Sequence, residues 1–171
     1  MKQSITIHPN KELFEPTKDI PKKDIHPDTF SQIGSAMLEI LKDKGGIGLS
    51  ANQVGLPLNM CVIEITNDPK ILLNPRIIKM SDKMVKSKES CLSLPGANVT
   101  INRHEKVTVE YEDVTGKTEI IEAEHLMSYC LQHEIDHLNG ILMLNRLSEF
   151  HKSKALKDIH KYKKFRNGRQ R

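Results

Sequence analysis

The segment His133-Glu134-Ile135-Asp136-His137 constrains this chain more than any other stretch of it. Two histidines four apart can serve one cation only if the backbone between them is helical, which stacks them on one face about 6 Å apart. Both imidazoles then reach a metal at about 2 Å, and Glu134 lies beside a metal-held water without being a ligand itself. Gly140 follows as a natural helix stop. A helix over residues 124–139 is expected, with Leu126, Cys130, His133 and His137 near one another at three- and four-residue steps. The same pattern arises by chance in roughly a few chains per hundred, so the rest of the sequence has to decide.

A metal needs a third ligand. The pattern HExxHxxGxxH is followed as far as Gly140, but its next required histidine is replaced by Met143. Glu149, His151 and His160 lie further on, in a basic segment that reads as a solvated helix. Upstream, Cys91 stands in Glu89-Ser90-Cys91-Leu92-Ser93, a loop that ends at Pro95-Gly96. One thiolate and two neutral imidazoles make a sound tetrahedral set with one position left for water. The chain has three cysteines and no apolar export signal, so they read as reduced thiols; Cys61 and Cys130 are expected simply to be buried.

A first helix is expected over residues 28–44, capped by Asp28, with Phe30, Ile33, Met37, Ile40 and Leu41 on one face and Gly45-Gly46 as its stop. A glycine-bearing loop should cover 45–57. Strands are expected over 59–65 and 71–80, the second broken at Pro75 by an edge or a bulge. Alternating residues 106–112 and 117–123 around Val114-Thr115-Gly116 form a hairpin signal. Residues 141–144 could add a short strand, and a last helix should run over 148–165 into a polar basic tail. Strands in the middle flanked by helices give an α+β class.

With 171 residues the chain is one ordinary domain, read as a single unit over 1–171 whose stretch 148–171 is a basic C-terminal helix and tail. No apolar run approaches the roughly 20 residues that span a bilayer, which argues against a membrane protein. Cytoplasm is the expected compartment. Of the net charge of +4, residues 149–171 carry +7 and the rest −3. Together with an aromatic content of 4%, that acidic body argues against a nucleic-acid-binding module, and no DNA partner is expected.

Three segments resemble, in order and with similar spacing, the signature motifs of peptide deformylases. Gly46-Ile47-Gly48-Leu49-Ser50-Ala51-Asn52-Gln53 is similar to GxGLAAxQ, Glu89-Ser90-Cys91-Leu92-Ser93 to EGCLS, and Gln132-His133-Glu134-Ile135-Asp136-His137 to QHExDH. The resemblance implies mixed or antiparallel β-sheets surrounding a central HExxH-bearing helix, with an N-terminal and a C-terminal helix. It implies a hydrolase that removes the formyl group from the N-terminal formyl-methionine of nascent polypeptides and releases formate. Cys91, His133 and His137 would hold one divalent metal ion, Fe2+ in the cell, with Zn2+, Ni2+ or Co2+ able to take its place. Metal-bound water would attack the formyl carbonyl, with Glu134 as general base and acid and the Gln53 side chain and Leu92 N–H as oxyanion donors. Ile47, Gly48, Ser90, Leu126, Tyr129 and Cys130 would bind the substrate, and Glu89 and Arg103 would brace the cysteine loop. The basic C-terminal helix could contact the ribosome. Three departures stand out: Ser50 replaces an alanine, Ser90 replaces a glycine, and Asn98 stands where an arginine is common. If the glycine at position 90 needs a positive φ, serine is strained there.

Overall fold

The protein is described here from a computed structural model covering residues 4–168. Helix α1 (Pro27–Lys44) is followed by strands β1 (Gly48–Ser50), β2 (Met60–Ile65), β3 (Asp68–Met80), β4 (Met84–Ser90), β5 (Asn98–His104), β6 (Lys106–Glu112) and β7 (Thr118–Glu124). Helix α2 (His125–Leu138) and helix α3 (Glu149–Gly168) complete the order. The strands form a five-stranded sheet, β1-β2-β3-β6-β7, and a separate pair, β4-β5, with every ladder antiparallel. The α+β class and the antiparallel sheets expected from the sequence are present.

Strand β2 explains how the layers stack. Its residues Met60-Cys61-Val62-Ile63 are apolar without alternation and fully buried. Successive side chains point to opposite faces, so such a run needs cover on both sides. Met60 and Val62 join the core under α1, with Met37, Leu41 and Leu49. Cys61 and Ile63 join the core under α2, with Leu131, Ile135 and Val109. A third core seats α3 through Ala155 and Ile159 against Leu94, Ile101 and Leu142. The HExxH helix α2 thus lies on the large sheet and also touches β5 of the small one.

Several local expectations are corrected. His26, not Asp28, is the N-cap of α1; Pro27 opens the helix, where its missing N–H costs nothing, and Asp28 sits in the first turn. The loop over 45–57 contains strand β1 and a 3-10 turn, Ala51–Val54. Of the two readings of Pro75, the bulge holds and the edge does not: it lies at a register shift between Leu73 and Arg76 in a strand paired on both sides. Strands β4 and β5 were not expected at all: Val85, Ser87 and Glu89, the less exposed set on β4, are mostly polar and leave no apolar alternation. Residues 141–144 form no strand; Met143–Arg146 is a 3-10 turn. Helix α3 runs to Gly168, three residues beyond expectation, and the end of the proposed basic tail, 169–171, lies outside the described residues.

Gly140 follows the C-cap of α2, three residues after the second motif histidine. It has φ +71°, and a Cβ there would lie 2.5 Å from the Phe14 carbonyl oxygen. Both the left-handed backbone and the backbone-to-backbone clash exclude a side chain. Gly140→Ala is expected to destabilise the fold by on the order of 2 kcal/mol or more, read as a lower urea midpoint at unchanged slope.

Candidate active site

Three elements far apart in the chain converge beside α2. The helix brings His133 and His137 together with ring centroids 4.9 Å apart. Cys91 follows the last residue of β4 and sets its Sγ 3.1 Å from His137 Nε2. One donor atom from each of Cys91, His133 and His137 lies within 4.8 Å of the others, and all three residues are buried. A tetrahedral centre with bonds of about 2.1 Å to nitrogen and 2.3 Å to sulfur needs donors roughly 3.5 Å apart, so a small shift closes this set on a cation. The fit extends to orientation. His133 Nδ1 is engaged by Glu89 Oε2 at 2.9 Å, which leaves Nε2 for a metal. Glu149, His151 and His160 lie exposed on α3 and take no part in this cluster.

The charges around the cluster are arranged in a line. Arg103, 1% exposed, donates from Nε and Nη2 to both oxygens of Glu89 at 2.8 and 3.0 Å. Its Nη1 donates to Asp136 Oδ2, which Arg146 also grips from Nε and, through Oδ1, from Nη2. The chain His133–Glu89–Arg103–Asp136–Arg146 therefore ties β4, β5, α2 and the turn after it. Burial works against the Glu89 carboxylate, but the bonds from His133 and Arg103 hold its pKa at about 2. Burial also opposes a charge on His133, yet bonds to Cys91 and Glu89 push its pKa well up. His137 is driven well down, first by burial and then by the neighbouring His133. The neighbours thus push the two imidazoles in opposite directions.

Glu134 is 3% exposed, and its Oε2 has no hydrogen-bond partner among protein atoms. Burial raises its pKa to about 7, partly offset by the charge of His133 and the Ser50 hydroxyl. Gln53 faces the same space from the turn Ala51–Val54. Ser50 N–H donates to Gln53 Oε1 at 2.9 Å, which fixes the amide's orientation and turns Nε2 toward Ser93 Oγ (3.0 Å) and Cys91 Sγ (3.7 Å). Leu92, beside the cysteine, makes no backbone N–H bond to another described residue.

These groups open onto a cleft of about 420 Å³. Ile47, Gly48, Ser90, Leu126, Tyr129 and Cys130 all line it, as do Gln53, Leu92, Glu89, Cys91, His133 and Glu134; His137 and Arg103 lie behind the lining. Gly48 is required by proximity: a Cβ there would meet Glu134 Oε1 at 2.5 Å and Cys130 Sγ at 2.7 Å. Ser90 closes β4 opposite Asn98 and has no positive φ, so serine is unstrained at that position. Four supporting residues escaped the sequence reading. Asp136 was visible inside the HExxH motif, three residues after His133. Asn52 was visible in the loop motif; its Nδ2 donates to the His137 carbonyl at 2.6 Å. Ser93 was visible as the last residue of the cysteine motif, whereas Arg146 carried no pattern that could have singled it out.

Fold and site together define an α+β protein with a buried Cys/His/His metal-ligand set facing a cleft. The family model for polypeptide deformylase matches residues 2–153. The chain is 36% identical over 171 residues to the peptide deformylase of Bartonella quintana (strain Toulouse), covering 97% of this chain and 96% of that one. It is 37% identical over 162 residues to that of Brucella suis biovar 1, covering 92% and 91%. The crystal structure of a peptide deformylase from Legionella pneumophila superposes with a TM-score of 0.90 at 34% identity, over 98% of both chains. The chain belongs to the polypeptide deformylase family, and it is an enzyme of that type.

Removing Arg103 would leave Glu89 and Asp136 buried with less compensation and free the bond that orients His133. Arg103→Ala is expected to lower stability by about 3–5 kcal/mol and to weaken metal retention by about 10- to 100-fold. Denaturant midpoints and metal content after dialysis against a chelator check both effects.

Proposed function

We propose that this chain, acting as one catalytic domain, removes the formyl group from the N-terminal formyl-methionine of new polypeptides and releases formate. The observation that carries this reading is a single one. A buried carboxyl group with a pKa of about 7 adjoins a Cys/His/His donor set, in a cleft of about 420 Å³ that has room for a short peptide segment. Cys91, His133 and His137 are the residues that would hold the divalent ion; iron, zinc, nickel and cobalt all suit one thiolate and two imidazoles. When bound, the ion supplies Lewis acidity that polarises water and carbonyl oxygen.

The chain's own groups do the rest. Glu134 accepts the proton of the attacking water and returns it to the departing amine, since a group near neutrality serves as both base and acid. A C–O bond forms at the formyl carbon, the C–N bond breaks, and formate and a free methionyl amine leave. Gln53 Nε2 and Leu92 N–H donate to the carbonyl oxygen as negative charge gathers there; one such donor is worth about 100- to 1000-fold in rate. Glu89 and Arg103 keep His133 aimed. Among the described strands β1 pairs only with β2, so the edge at Gly48 is free to take an extended peptide as an added strand, with Ser90 also lining the cleft. Ile47, Leu126, Tyr129 and Cys130 offer the apolar surface that a methionine side chain needs. Glu134→Ala is expected to cut formate release from a formyl-methionyl peptide by about 100- to 10,000-fold while metal content stays unchanged. Full activity in that variant would sink the mechanism.

A second contact has its own support. Phe150, Lys154, Lys157, Lys161 and Lys164 fall on the exposed face of α3 at helical spacing, opposite Ala155 and Ile159. Such a stripe suits a phosphate backbone, and docking on ribosomal RNA would put the enzyme near its nascent substrates. No helix among the described residues is long and apolar enough to cross a membrane. Reversing Lys154, Lys157 and Lys161 to glutamate is expected to abolish co-sedimentation with ribosomes at low salt and to leave hydrolysis of a short peptide intact. Unchanged co-sedimentation would remove the ribosome as a partner of this helix.

A further inference from the structure

The wall along which a substrate leaves the chemistry carries an unbalanced positive charge. The cleft that holds Gln53, Leu92 and Glu134 is lined also by residues 44–46 and 87–90. A peptide held there by its formyl end lies along these residues. Among the described strands β4 pairs only with β5, so its other edge is free. Alternation along β4 puts Lys86, Lys88 and Ser90 on its exposed face. Their cross-strand partners on β5 are Asn102, Thr100 and Asn98, none of them charged.

Other lysines on the same small sheet and its neighbours are paired: Lys83 with Glu105, and Lys106 with Glu124. Neither Lys86 nor Lys88 has an acidic partner among the described residues. The two carboxylates lining the cleft do not offset them. Glu89 is engaged by Arg103 and His133, and Glu134 is buried. Lys44, which also lines the cleft, is paired with Asp43 and adds no net charge. Lys88 is three residues from Cys91, roughly 10 Å along the strand. An extended peptide covers that distance by the second or third residue after its methionine.

We propose that Lys88, with Lys86 beyond it, selects formylated peptides that carry aspartate or glutamate at the second to fourth residues after methionine. The inference rests on the peptide deformylase reading of this cleft. The interaction is solvent-exposed, so it is modest and screened by salt. It acts on substrate capture rather than on the bond-breaking step, and it belongs to KM more than to kcat.

The test compares formate release by the metal-loaded enzyme from formyl-Met-Ala-Asp-Glu-Ala and formyl-Met-Ala-Lys-Lys-Ala. At low salt, kcat/KM is expected to be about three- to tenfold higher for the acidic peptide. The ratio should fall toward one in high salt and invert in the Lys86→Glu/Lys88→Glu variant. A ratio within about twofold at low salt, or one that the variant leaves in place, overturns the proposal. Calorimetric binding of the two peptides without their formyl groups reads the same preference in the absence of turnover. If no peptide of either charge yields formate, the deformylase reading fails, while the binding order still decides the charge preference: tighter acidic peptide supports it, equal affinity overturns it.

Discussion

Arg103 is the interaction on which the site depends. Its guanidinium is almost fully buried between Glu89 on β4 and Asp136 on α2, and no other described group could neutralise both. The small sheet carries the cysteine and the helix carries the histidines, yet the two elements share little apolar surface. Burying charges is costly unless each is paired and hydrogen-bonded, and here each partner's bonds are met by the next. The result is a rigid link of fixed length between the element holding sulfur and the element holding the ring nitrogens. Ligand spacing is thus set by ionic bonds outside the ligand set, and Gln132 adds a second tie by accepting from the His104 N–H and donating to its carbonyl.

The same link sorts the protonation states. Glu89, kept charged by Arg103, hydrogen-bonds His133 at Nδ1, while among the described residues no carboxylate bonds to the His137 ring, whose carbonyl accepts from Asn52. Burial lowers both imidazoles, and their neighbours set them apart: Cys91 and Glu89 raise His133, while the charge of His133 lowers His137 further. Glu134 occupies the third environment, buried without a guanidinium within bonding distance, and that isolation lets its pKa rise to about 7. Two glutamates lining one cleft are thus held at about 2 and about 7, a separation that suits the orienting and proton-transferring roles proposed for them.

What could be read from the sequence divides along local and non-local physics. The HExxH helix was legible because two ligands four residues apart need only helical geometry, and α1 was legible because Phe30, Met37 and Leu41 keep one face. The β6-β7 hairpin was legible because its turn and its alternation agree. Cys91 was reachable through thiolate chemistry and the order of three motifs, not through spacing. Strands β4 and β5 were illegible because β4 turns toward charge partners: Glu89 faces Arg103 where a hydrophobic residue would normally mark a strand. Residues 141–144 misled for the converse reason. Leu142, Met143 and Leu144 are apolar because they join the core that seats α3, and the chain turns there instead of pairing.

The cleft follows from that same substitution of ionic for apolar contacts. A strand held to the body through one face by Glu89 and by its pairing with β5 does not need its second edge covered. Edges left free are normally hazards, blunted by charge and especially by lysine. β4 carries lysine at positions 86 and 88, and β1, the other free edge facing the cleft, is only three residues long. Both edges are thereby protected against pairing with another sheet and still open to a single extended chain. A site that must admit a peptide backbone but resist aggregation has few other solutions. The lysines that protect the edge then necessarily colour the field through which the peptide passes, so edge protection and substrate preference are two consequences of one pair of side chains.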